Sequence, residues 1–177
     1  MTPQKSYETI SPETGRFSIL CAGREALVTT ATRTLRQGRD WHTLYLCGNY
    51  PTVLPLLDRT SRIFHVRRAL NPWQVFEILD TSSHSLLIFE HDPAILDDAP
   101  EMATYIGEKC REYAQTEPAA VLLIARKYDD HIRAMEPCAD KIVSVEYDAK
   151  PVPIQKRRTT AAPVPRNQTT LADGWTG

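Results

Sequence analysis

Apolar positions along this chain follow two alternating rhythms. Short continuous runs, "FSILCA" (17–22), "HTLYLCG" (42–48), "RIFHV" (62–66), "SLLIFE" (85–90), "AAVLLIA" (119–125) and "KIVSVEY" (141–147), have the length of strands buried on both faces. Between them lie segments with helical spacing or helix punctuation. "REALVTTATRTLRQG" closes on Gly38, a C-terminal cap. "YPTVLPLLDRT" carries Pro51, tolerated in a first turn. "NPWQVFEILD" opens with Asn71 as N-cap and Pro72 at the first helical position. "HDPAILDDAP" reads as a polar loop. "PEMATYIGEKCREYAQT" aligns Met102, Tyr105, Ile106, Cys110 and Tyr113 on one face, and "DDHIRAMEPCA" is a short last helix. Six strands alternating with five helices predict an α/β layer with a mainly parallel sheet, its central strands at 85–90 and 119–125.

The pattern fades at both ends. Residues 1–16 form an N-terminal extension, 17–147 the folded domain, and 148–177 a tail holding four of the 13 prolines with little apolar periodicity. Such a composition cannot bury enough apolar surface to offset chain entropy, so disorder is expected for the tail. Its five Lys and Arg against two Asp give a net of +3, which leaves −4 for the rest of a chain whose total is −1. The tail is the basic element, and the protein as a whole makes no global electrostatic case for nucleic acid.

Cys21, Cys47, Cys110 and Cys138 are dispersed without a CxxC pair, and Cys21 and Cys47 end apolar strands expected to be neighbours, as packing residues. This usage and the absence of an apolar leader or membrane-length run predict a reduced, cytoplasmic protein with no membrane contact.

The turn after the first strand is where an α/β nucleotide-binding protein keeps its phosphate loop. The pattern of Gly, four residues, Gly, Lys, then Ser or Thr, laid from Gly23, falls on Val28, Thr29 and Thr30, so only the first Gly and the last hydroxyl survive. Val28 resists the φ values that glycine supplies, and Thr29 has no charge to replace lysine. "LLIFE" ends in Glu90, a carboxylate at a strand's carboxyl end where magnesium is held in ATPases. A tight turn that never met a nucleotide is the other reading of "GREALVTTA".

The ordered set of parts resembles the RecA-like ATPase core, particularly the small archaeal recombinase paralogues of RadB type and their KaiC-like relatives. The parts are the phosphate-loop position, "TLYLCGN", "VRRALNPWQVFEIL", "SLLIFEHD", "AVLLIARK" and "CADKIVSVE", from about Phe17 to Tyr147. The resemblance implies a three-layer RecA-like P-loop NTPase fold in a member that has lost ATP hydrolysis. Its degenerate nucleotide site is Gly23, Val28, Thr29, Thr30 and Glu90; Asn49 stands near a usual acidic position, and Glu90 and Asp92 become relics or solvated strand-end carboxylates. No catalytic residue, metal or cofactor is expected. The alternative is an atypical ATPase using ATP and Mg at Gly23, Thr29, Thr30 and Glu90.

No two of the five histidines stand at i, i+4; His65 is expected as a satisfied core residue, and His91 with Asp92 and Glu90 as at most a small loop-mouth cluster. At the other end, Gln168, Leu171 and Trp175, with Gly174 in one aromatic position, resemble the PIP box by which DNA replication and repair proteins bind the sliding clamp PCNA. Such a plug stacks an aliphatic and an aromatic side chain on one side of a helical turn. Lys156, Arg157, Arg158 and Arg166 add attraction to an acidic partner, or weakly and nonspecifically to DNA. The expected function is a non-catalytic RecA-fold accessory factor in DNA repair, replication or recombination. A third reading is a regulatory partner of another RecA-like ATPase, docking through its sheet edge.

Overall fold

The computed structural model describes residues 10–38, 40–57, 63–116 and 118–145. The runs expected as strands form β1 (Phe17–Cys21), β2 (Thr43–Cys47), β3 (Phe64–Arg68), β4 (Leu86–Glu90), β5 (Ala120–Ala125) and β6 (Lys141–Ser144). They make one sheet in the order β3-β2-β4-β5-β1-β6, with every pairing parallel. Four α-helices accompany them among the described residues: α1 (Arg24–Gln37), α2 (Pro72–Asp80), α3 (Met102–Thr116) and α4 (Asp130–Met135).

Strand order and the handedness of crossovers decide which face each helix covers. The chain runs from β1 past β5 and β4 to β2, and on to β3, in one direction along the sheet; every later step runs the other way. Since parallel crossovers are right-handed, a reversal of direction moves the connection to the opposite face. Accordingly Leu27, Ala31 and Leu35 of α1 pack with Leu20, Tyr45, Ile88 and Leu122 on one side. Val75 and Ile78 of α2, Ile106 and Cys110 of α3, and Ile132 and Met135 of α4 pack with Ile19, Leu44, Phe89 and Leu123 on the other. Neighbouring residues of one strand, such as Ile19 and Leu20, serve opposite cores, which is why β1, β2, β4 and β5 are buried along their whole length. Each fully buried Leu or Ile contributes about 1.5–3 kcal/mol.

Local punctuation holds at the start of α2 and the end of α1. The Asn71 side chain accepts from the Gln74 N–H at 3.0 Å, and the Gly38 N–H closes α1 on the Thr34 carbonyl. Several details depart from the sequence reading. The described residues of the segment after β2 form only a 3-10 turn, Leu54–Leu56, because Pro51 and Pro55 withhold two N–H groups and neighbouring amides are drawn elsewhere, as shown below. The loop after β4 contains its own 3-10 turn, Pro93–Leu96, which buries Ile95 and Leu96. On α3, Tyr105 is 54% exposed, and Ala103, Gly107 and Ala114 complete the inner face instead. Gly107 is there because α4 crosses close: a Cβ would stand 3.1 Å from the Met135 Cα.

β3 begins two residues later than read and is an edge strand, so His65 is exposed rather than in the core, its Nδ1 2.8 Å from His84 Nε2. Cys21 and Cys47 do not end adjacent strands; β4 and β5 lie between theirs. All four cysteines are free and buried. No helix among the described residues is long and apolar enough to cross a membrane.

The start of β1 is fastened to the turn before β6. Asp140 accepts from the Phe17 N–H at 2.9 Å and from Arg16 Nη1 at 3.1 Å. The Phe17 hydrogen bond foremost, against a desolvation that opposes it, and then Arg16, hold the Asp140 carboxyl below its ordinary pKa. A group depressed on folding stabilises the fold above its unfolded pKa, and that contribution fades as pH falls toward the folded value. Asp140→Asn is therefore expected to lower the melting temperature at pH 7 and to flatten its decline between about pH 5 and 3. Thermal melts across that range check this, and parallel acid limbs in the two proteins would refute it.

Candidate functional site

In a parallel sheet, ligands bind outside the carboxyl ends of the strands, where neighbouring connections leave toward opposite faces. Here β1 sends its chain to the α1 face while its neighbour β5 sends its chain to the α4 face; β2 and β4 diverge in the same way. The rim between those exits holds Gly23, Glu90, His91, Asp92 and Asp129.

At the β1 exit, only Ala22 and Gly23 separate the strand from α1, which begins at Arg24. Gly23 is the helix N-cap with φ −60° and ψ 153°, and the Leu27 N–H already bonds the Gly23 carbonyl at 3.1 Å. Val28, Thr29 and Thr30 lie inside α1; Val28 packs partly against the core and Thr29 faces solvent. Among the described residues the one positive φ is at Gly15, away from this turn. Between β1 and α1 there is no loop whose successive N–H groups could curl around phosphates, since Arg24 already opens the helix.

Glu90 is 6% exposed, not solvated. Its Oε1 accepts from the Thr52 N–H at 2.6 Å, the Val53 N–H at 2.9 Å and the Thr52 hydroxyl at 3.1 Å. Its Oε2 accepts from the Tyr45 hydroxyl at 2.6 Å and the Leu54 N–H at 3.3 Å. Glu90 thus supplies from β4 the acceptors that the 3-10 turn after β2 lacks at its own start. Burial, then the charge of Glu90 and the hydrogen bond to it, push the Tyr45 phenol well above its ordinary pKa, so it stays a donor. With both oxygens engaged, this carboxylate has no free face toward the rim.

Asp92 turns back instead of outward. It caps the next turn by accepting from the Ala94 N–H at 3.1 Å, and its side chain lies over Gly48, where a Cβ would come within 2.0 Å of Oδ2. Gly48 is needed at the end of β2 for that close approach.

His91, next in sequence to Glu90, leads to the opposite face. Its N–H bonds the Ile124 carbonyl of β5 at 2.9 Å, and its Nε2 lies 2.8 Å from Asp129 Oδ2, with the imidazole side chain 4% exposed. Asp129 is the N-cap of α4, its Oδ1 accepting from the Ile132 N–H at 2.9 Å. Burial acts to raise its pKa, but His91, the Ile132 N–H and the charge of His131 outweigh it and hold the carboxyl at about 2. The His91 and His131 rings meet edge to face, centroids 5.9 Å apart. Burial first, then Asp129 and Glu136, raise the Cys21 thiol to about 11, so it is no thiolate at neutral pH.

The structure therefore brings Glu90 to the rim but ties it to the loop after β2, and sets Val28, Thr29 and Thr30 along a helix rather than in a loop. Gln168, Leu171, Trp175, Lys156, Arg157, Arg158 and Arg166 lie outside the described residues. Sequence reasoning missed Tyr45 and Asp129. The Asp-Asp pair before "HIRAM" was a visible capping signal, but nothing in the sequence joined it to His91.

These features define an α/β protein with an all-parallel sheet, helices on both faces, and a carboxyl-end rim occupied by capping carboxylates. Compared with known proteins, the chain matches no protein-family model and no curated sequence.

Proposed function

We propose that this chain has a RecA-like fold that has given up nucleotide chemistry and acts as an accessory factor in DNA repair, replication or recombination. It engages a PCNA-like sliding clamp through Gln168, Leu171 and Trp175. The observation that carries the first half is the two-residue exit from β1, with Val28, Thr29 and Thr30 taken into α1. A phosphate cradle needs a loop at that point, and here the helix starts in its place. The saturation of Glu90 supports the same reading, because a carboxylate accepting five hydrogen bonds cannot also orient water on magnesium without releasing the loop after β2.

The RecA-like assignment draws support from β1 and β4, the strands of the phosphate-loop position and of Glu90, which open at the same sheet end with β5 between them. For a protein partner of the globular part, the natural surface is the exit of edge strand β3. Leu70 and Trp73 there are 59% and 66% exposed, and aromatic side chains of this kind anchor interfaces. The basic tail residues Lys156, Arg157, Arg158 and Arg166 add weak, salt-sensitive attraction to DNA.

Two measurements on the full chain test the proposal. Binding to a PCNA-type clamp, followed by surface immobilisation, is expected for the wild type and abolished by Leu171→Ala with Trp175→Ala, at unchanged melting temperature. Undiminished binding by that double variant refutes the tail assignment. Thermal melting with millimolar Mg-ATP is expected to show no shift. A ligand at about 100 times its Kd adds roughly 2.7 kcal/mol, so a rise of several degrees would make the chain an atypical ATP-binding protein instead.

A further inference from the structure

We propose that His91, Asp129 and His131 form a binding site for one divalent transition-metal ion, zinc in the first instance, at the carboxyl end of β4 and β5. One ligand atom from each of the three residues lies within 4.8 Å of the others, and all three residues are partly buried. The proposal is independent of the nucleotide and clamp readings.

Three features carry it. The donor set is right: two imidazoles and one carboxylate are the ligands of open zinc sites, which leave a fourth position for water. The spacing is right as well. Zinc sits about 2.0–2.2 Å from nitrogen and oxygen ligands, so two ligands at a tetrahedral ion lie roughly 3.3 Å apart. His91 Nε2 and Asp129 Oδ2 already stand 2.8 Å apart, and a small separation lets an ion replace the proton they share. Coordination at Nε2 requires that nitrogen free of its proton, so zinc binding is expected to weaken as pH falls.

The third feature separates a metal site from a plain ion pair. A pair explains His91 and Asp129 but leaves His131 unexplained. His131 Nδ1 is out of contact with solvent and has no hydrogen-bond partner. A buried ring nitrogen without a partner carries a desolvation cost, which an ion coordinated at that nitrogen would remove. The carboxylate is also oriented in advance, because Oδ1 is committed to the Ile132 N–H and Oδ2 alone is turned to His91. Support from beyond the ligand atoms is what keeps such sites in register. His91 is held in turn by its N–H on the Ile124 carbonyl.

The alternatives are weaker. His65 and His84 are close, but they have no third ligand in the same cluster among the described residues. Glu90 and Asp92, the carboxylates beside His91 in sequence, face the loop after β2 and Gly48.

The test uses the full chain, stripped with chelator and titrated with Zn2+ by calorimetry and with Co2+ by visible absorption. One equivalent of each ion is expected to bind, Co2+ giving the intense d–d bands of a four-coordinate site, with a higher melting temperature for the zinc form. His131→Ala is expected to weaken zinc binding at least tenfold with a much smaller change in the metal-free melting temperature, since its Nδ1 has no hydrogen bond to lose and the contact removed is the edge-to-face one with the His91 ring. Asp129→Asn, which keeps an acceptor for the Ile132 N–H, is expected to weaken it comparably. Absence of binding overturns the proposal, and so does binding that both variants leave unchanged.

Discussion

Replacing Glu90 by Ala is expected to cost about 3–4 kcal/mol, the largest single loss available in this domain outside the apolar core. The side chain is buried, and its removal leaves the Tyr45 hydroxyl and the N–H groups of Thr52, Val53 and Leu54 without this acceptor. For a chain of this length that is roughly 10 °C in melting temperature. Glu90→Gln should fall between the wild type and Glu90→Ala, because it keeps one acceptor oxygen but turns an amide toward donors. Hydrogen exchange at Thr52, Val53 and Leu54 gives a second readout, expected to accelerate in both variants. A Glu90→Ala protein melting within about 2 °C of the wild type would mean that the loop after β2 does not depend on this carboxylate.

The second large effect is expected at Gly48. A Cβ there would lie 2.0 Å from Asp92 Oδ2, 2.6 Å from its Cγ and 2.7 Å from its Cβ. Contacts that short cannot be absorbed by rotating a carboxylate alone, since the Asp92 Cβ is fixed by the backbone leaving β4. Gly48→Ala should therefore cost about 1–3 kcal/mol by overpacking. Asp92→Ala removes the two nearest outer atoms and costs the cap on Ala94. The double variant should lose less than the sum of the two single losses, a coupling that denaturant unfolding of all four proteins measures. Strict additivity would show that the two residues do not meet.

The first prediction concerns a residue whose role inverts what its sequence neighbourhood suggests. Glu90 follows four apolar residues at a strand end, which in isolation reads as a magnesium-binding carboxylate. Its use is decided by the loop after β2, 36 to 38 residues earlier, whose amides are drawn toward it. The described residues of that loop in turn make no α-helix, because Pro51 and Pro55 remove donors and Glu90 supplies acceptors that favour a 3-10 turn at Leu54–Leu56. The two surprises are one event seen from both ends.

The cluster of His91, Asp129 and His131 was likewise half legible. Asp129 announces itself as a capping residue ahead of "HIRAM", and His91 as the residue leaving a central strand. Their meeting depends on β5 lying directly beside β4, which places the two exits side by side. A strand order with another neighbour for β4 would have separated the same residues.

What this sequence determined by itself is local. Continuous apolar runs specify strands buried on both faces, and the helical segments carry their own stops: Asn71 and Pro72 before α2, Gly38 after α1. These cues act over a few residues, through backbone dihedrals and nearby hydrogen bonds, and need no tertiary partner. Strand order, the choice of β3 as the exposed edge, and the partners of Glu90, Asp92 and His91 were decided only in the tertiary structure. They rest on contacts between segments tens of residues apart, where right-handed crossovers and the burial of both sheet faces select one arrangement.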